Sequence, residues 1–85
     1  MKSMYIKDIE KKVIEVLADK ASIDPKQIKL KSSLVDDLGL DSLDAVEMVF
    51  ELEENYGIDI PDEQIPEFKI TQDIVNYLSL RFASG

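Results

Sequence analysis

The chain has 85 residues, 18 acidic and 10 basic, with no cysteine, no histidine and a net charge of −8. A length of this order supports a single domain, 1–85, burying only about 60% of its unfolded surface, so a deep two-walled catalytic cleft is not expected. Without cysteine or histidine there are no disulfides, thiolate or imidazole metal ligands, or Ser-His-Asp and Cys-His nucleophiles; a non-enzyme with no catalytic residues and no metal site is predicted.

The charge is unevenly spread. Residues 1–31 hold eight lysines against five acids, a balance of +3, whereas residues 32–85 hold thirteen acids against Lys69 and Arg81, a balance of −11. Such a field repels phosphate backbones and anionic lipid and steers toward basic surfaces, so neither nucleic acid nor membrane is an expected partner. It also fits a solvated face that only aids solubility. MKSMYIKDIEKK is charged where a signal peptide would be apolar, and no apolar run nears the roughly 20 residues of a membrane span. A soluble, cytoplasmic protein is predicted.

Ile6, Ile9, Val13, Val16 and Leu17 recur at helical spacing, which predicts an amphipathic helix over roughly residues 4–19. Asp24-Pro25 then opens a turn, with a short helical turn around Lys26–Ile28. From there to Gly39 no period is sustained. Ile23, Ile28, Leu30, Leu34, Val35 and Leu38 are spaced as anchors that pin a long loop to a core. Asp41 is the expected N-cap of a second helix, accepting from the amide of Leu43 or Asp44, and Gly57 is the expected stop after Tyr56. Within it Asp44, Glu47, Glu51 and Glu54 form an acidic stripe, and Ala45, Val49, Leu52 and Tyr56 a core face. Leu43, Val46 and Phe50 fall at the margin of burial. PDEQIPEF reads as a brief helix shortened by Pro66, and Thr71 as the cap of a last helix that buries Ile74, Val75, Leu78 and Phe82. The predicted class is all-α: an antiparallel four-helix bundle with a long first loop and a short third helix.

Ser42 stands directly after the cap, exposed at the head of a segment, residues 36–57, with eight acids and no base. A phosphate ester there would meet helix-start amides and the positive end of the helix dipole, with Asp41 and Asp44 opposing it. Taken alone, a serine in this position belongs to the capping region.

The run DLGLDSLDAVEMVFELEENYGIDIPDE, with Asp-Ser-Leu heading the second helix, strongly resembles the acyl carrier proteins, and the likeness spans nearly the whole chain. It implies that Ser42 receives 4′-phosphopantetheine from coenzyme A through a separate phosphopantetheinyl transferase. The arm's thiol would then carry acyl groups as thioesters to enzymes of fatty acid, polyketide or specialised lipid biosynthesis. It further implies that acyl-transfer and chain-elongation enzymes dock through basic patches on Asp41, Asp44, Glu47, Glu53, Glu54 and Asp62. Leu43, Val46 and Phe50 would supply apolar contacts. Val46, Phe50, Ile60, Ile65 and Phe68 would line an acyl pocket or simply pack the core. A monomer is expected.

Two departures from the family pattern concern residues 62–71. The last helix starts Ile70-Thr71-Gln72-Asp73 rather than with a Thr-Val pair and an acid at the third position, and Pro66 lies within the third helix. A peptidyl carrier typically has two glycines and Asp or His before the serine, whereas this chain reads Gly39-Leu40-Asp41-Ser42. A calcium loop fails too: counted from Asp37, the sixth residue is Ser42 and the twelfth Met48.

Overall fold

The computed structural model describes residues 6–83. In chain order it has α1 (Ile6–Ala21), a 3-10 turn (Pro25–Gln27), α2 (Ser42–Tyr56), a short 3-10 helix (Asp62–Glu67) and α3 (Thr71–Ala83). The all-helical bundle with a long first loop and a short third helix is as predicted. Among the described residues the one β-type pairing is an isolated antiparallel bridge between Ser33 and Ile70. No helix there is long and apolar enough to cross a membrane.

The core is built around α1, which packs against both α2 and α3. Its Ile9, Val13, Val16 and Leu17 are buried together with Met48, Val49 and Leu52 of α2 and Ile74, Val75 and Leu78 of α3. Ile6, expected on the same stripe, is exposed, at the rim of a groove shared with Val75, Ser79 and Leu80 of α3. The predicted start at residue 4 lies outside the described residues. Met48 joins the core face of α2, whereas Ala45 and Tyr56 are half-buried. The Tyr56 ring meets Phe82 with centroids 5.1 Å apart. Burial, and then the carboxylates of Asp8 and Glu15, raise its phenol above the ordinary 10.0.

The helix ends follow local chemistry. Gly57, at φ +65°, turns the chain left-handed, and the amides of Gly57 and Ile58 both donate to the Glu53 carbonyl, at 2.8 and 3.2 Å. α1 ends the same way on Ser22, at φ +59°, where the Ile23 amide donates to Ala18 O. The third helix takes the 3-10 form because it contains Pro66 and starts after Pro61; proline removes an amide and clashes with an α-helical carbonyl.

Thr71 does not cap α3. It is the first helical residue and fully buried, its hydroxyl directed at Ser32 O, 3.4 Å away. The capping falls to Asp73, whose Oδ2 accepts from the amides of Lys69 (2.9 Å) and Ile70 (3.0 Å). A carboxylate at the third helical position reaches back to the donors before the helix.

Met48→Ala is expected to cost about 2–5 kcal/mol in urea unfolding, since its side chain is fully buried. Phe50→Ala, two residues away but exposed, should stay within about 0.5 kcal/mol. Comparable losses for both would contradict this core. The two left-handed caps should respond in opposite senses. Ser22→Gly is expected to gain roughly 0.5 kcal/mol, because relief of strain exceeds the added freedom of the unfolded chain. Gly57→Ala should lose roughly 1 kcal/mol.

Candidate functional site

The loop before α2 is tied down rather than free. Leu34, Leu38 and Leu40 are buried, and between them residues 33–40 fold on themselves. The Ser33 carbonyl accepts from the amides of Asp37 and Leu38, both at 3.0 Å, and the Leu40 amide donates to Leu34 O at 2.9 Å. Two side chains brace the turn: Asp37 Oδ2 accepts from the Ser33 amide at 2.7 Å, and Ser33 Oγ from the Asp36 amide at 3.0 Å. Gly39, at φ +70°, makes the reversal that a side chain would strain. Val35, expected as an anchor, points outward at 67% exposure; with Leu34 turned to the core, its neighbour in so tight a turn faces away.

A second set of bonds joins this loop to the start of α3. Leu34 N donates to Lys69 O (3.0 Å), Thr71 N to Ser32 O (3.0 Å) and Gln72 N to Leu30 O (2.9 Å). The loop, the 3-10 helix and the head of α2 thereby frame a cleft of about 480 Å³. Leu34, Val35, Leu40, Ala45, Ile65, Pro66 and Phe68 make it largely apolar; Ser33, Asp36, Asp41, Ser42 and Lys69 are its polar members.

Ser42 is on this cleft, at the first residue of α2. Asp41 is the cap, as expected: its Oδ1 accepts from the Asp44 amide at 2.9 Å, and Asp44 Oδ2 returns a bond to the Asp41 amide at 3.2 Å. The acids thus form a reciprocal capping box. No hydrogen bond among the described residues engages the exposed Ser42 hydroxyl. It is not a cap.

The outer face of α2 carries Leu43, Glu47, Phe50 and Glu54 at spacings of four, three and four, so acid and apolar side chains share one stripe. All four are exposed, Leu43 at 64% and Phe50 at 57%. Phe50, expected also in a pocket, lies on the far side of the helix from Met48, Val49 and Leu52 and does not line the cleft. Val46 is half-buried and Ile60 buried, both also outside the cleft, whereas Ile65 and Phe68 line it. Glu53 Oε2 accepts from the Ile60 amide at 2.6 Å, fixing the link after α2. Glu51 meets Lys20 of α1 at 3.4 Å, a neighbour that the segment's own sequence does not contain. Asp62 is exposed at the head of the 3-10 helix. Among the described residues no cluster of potential metal ligands occurs.

The cleft wall from the loop, and Lys69 bonded to it, are not singled out as a site by the sequence. The loop leucines were legible only as anchors, and the signal for Lys69 was its isolation among acids.

The comparisons with known proteins point the same way. A family profile described as a phosphopantetheine attachment site matches residues 11–78. An acyl carrier protein of Clostridium acetobutylicum is 46% identical over 67 residues, 79% of this chain and 87% of that one. One from Thermosynechococcus vestitus is 38% identical over 77 residues, 91% and 95% of the two chains. One from Bdellovibrio bacteriovorus is 41% identical over 70 residues, 82% and 90%. The chain belongs to the acyl carrier protein family, whose members bear phosphopantetheine and carry acyl groups rather than catalyse reactions.

Proposed function

We propose that Ser42 is the attachment point of the phosphopantetheine arm, and that this chain, as one carrier domain, presents acyl groups to enzymes of fatty acid or related lipid synthesis. The observation that carries this is the division of labour at the start of α2. Asp41 and Asp44 satisfy the cap between themselves, which leaves an exposed primary hydroxyl at the mouth of an apolar cleft. The residues fit the group. A hydroxyl can form the phosphodiester, helix-start amides favour its charge, and Leu34, Ile65 and Phe68 offer apolar surface beside it. When bound, the arm supplies a thiol that holds acyl groups as thioesters, chemistry a chain without cysteine does not possess.

Esterification at Ser42 joins its oxygen to the β-phosphorus of coenzyme A, releases adenosine 3′,5′-bisphosphate and gives the hydroxyl proton to a base. The neighbours on hand, Asp41 and Asp44, are engaged in the cap, so the base belongs to a separate transferase. Acyl-transfer and elongation enzymes are the other partners. The docking face is the outer stripe of α2, with Asp41, Asp44 and Asp62 at its margins. Leu43, Phe50 and half-buried Val46 give apolar contact, and Glu47 and Glu54 give steering. Exposed charges of this kind chiefly accelerate encounter. Glu53 holds the following link instead. Ile65 and Phe68 belong to the acyl pocket, with Ile60 and Val46 behind it if the cleft deepens. A monomer in the cytoplasm completes the reading.

Intact mass before and after incubation with coenzyme A and a broad-specificity phosphopantetheinyl transferase tests the attachment. One phosphopantetheine is expected on the wild-type chain and none on Ser42→Ala; gain by both would move the site elsewhere. Glu47→Lys and Glu54→Lys should each slow the transferase reaction roughly 3- to 10-fold at low ionic strength, with the deficit closing as salt screens it. Unchanged rates at low salt would remove these residues from the docking face.

A further inference from the structure

We infer that Lys69 is an anion-binding residue of the cleft, and that its ligand is the phosphodiester formed on Ser42. The inference rests on the attachment at Ser42. Lys69 and Ser42 line the same cleft, and Lys69 is the only cation among its lining residues, which include the carboxylates of Asp36 and Asp41. The other basic side chain of residues 32–85, Arg81, donates to Asp59 O (2.8 Å) and the Tyr77 hydroxyl (2.9 Å).

The backbone of Lys69 is fixed on both sides. Its amide donates to Asp73 Oδ2 at 2.9 Å and its carbonyl accepts from Leu34 N at 3.0 Å. The residue is therefore a rung between the loop and α3, with an exposed side chain on a flexible four-carbon stem. Among the described residues no carboxylate lies within the 4.0 Å ion-pair distance of its ammonium, although Glu67 and Asp73 are close in sequence.

A phosphodiester on Ser42 adds a negative charge beside Asp36, Asp41 and Asp44, in a half of the chain already at −11 by thirteen acids against two bases. Helix-start amides offset part of this. A cation lining the same cleft supplies a further offset, and it acts directionally. Attraction to Lys69 draws the base of the arm over the apolar cleft instead of leaving it extended into solvent. The contact is surface-exposed, so salt weakens it within a Debye length of about 10 Å at 0.1 M.

Phosphorus-31 NMR of the arm-bearing protein reads the contact directly. Wild type, Lys69→Gln, Lys69→Arg and a control, Lys31→Gln in the basic loop, are each loaded and checked by mass. A displacement of the phosphodiester resonance in Lys69→Gln is expected, with return toward the wild-type position in Lys69→Arg and no change in Lys31→Gln. Rising salt should move the wild-type resonance toward that of Lys69→Gln. An identical resonance in wild type and Lys69→Gln overturns the inference while leaving attachment intact. If Lys69 side-chain signals respond to a succinyl thioester and not to the bare arm, the ligand is a cargo carboxylate and the inference is likewise overturned. Failure of wild type to gain mass is a separate result: it removes attachment itself, and this contact with it.

Discussion

The seam between the long loop and the start of α3 governs the geometry of the whole site. Three backbone bonds cross it, from Leu34, Thr71 and Gln72 to Lys69, Ser32 and Leu30, and Asp73 closes its lower end. Each bond is modest in net stability, about 1 kcal/mol. Their joint effect is positional. They hold a segment without helical period against a helix far from it in sequence, and so set one wall of the cleft. Thr71 is buried at this seam, its amide and hydroxyl both meeting the Ser32 carbonyl, which is why a residue of capping type serves here as a tie. The self-folded turn of residues 33–40 carries that constraint forward to Asp41 and Ser42.

Asp41 and Asp44 then determine what Ser42 is free to do. A helix start must satisfy its first amides, and a serine at such a place is commonly used for that. The reciprocal box removes the need, at two acids' cost in local repulsion. The same substitution of roles recurs in α3, where Asp73 caps in place of Thr71. In both helices a carboxylate at the third position closes the start. The residue at the first position is released, to solvent in one helix and to the seam in the other.

Much of this was legible in the sequence, and the exceptions share a cause. Periods of three and four located all three α-helices, Gly57 marked an end, and Asp41 the cap, because these depend on residues within one or two turns. Ile6 followed the periodic stripe faithfully yet stays exposed, at the rim of a shallow groove beside Val75 and Ser79 of α3 that its side chain does not fill. Val35 looked like an anchor, but a loop's facing is decided by bonds such as Leu40 to Leu34 that composition does not encode. Phe50 was placed at the margin of burial, and only the position of Met48, Val49 and Leu52 against α1 shows it to be outside. The cleft was the least legible feature, since its walls come from three separated segments. The likeness to a known family supplies the proposed role of Ser42, whereas the reason its hydroxyl is available comes from hydrogen bonds.

Charge and apolar surface on α2 make sense as a pair. An exposed Leu43 or Phe50 alone is unremarkable, because folded surfaces retain much apolar area. Interleaved with Glu47 and Glu54 on one helical stripe, they form the proposed docking face, on which long-range attraction would bring a basic partner close and a small apolar contact would then select it. Exposed charges are screened and individually weak, so such a face favours rapid arrival over long residence. That balance suits a proposed carrier that must meet several enzymes in turn. It also explains why the acids cluster where the chain can least offset them: pairing each with a lysine would quiet the self-repulsion and, with it, the steering. Glu51, on the acidic stripe but tied to Lys20, and Glu53, tied to the Ile60 amide, have partners within the fold. Glu47 and Glu54, on the stripe, are left facing water.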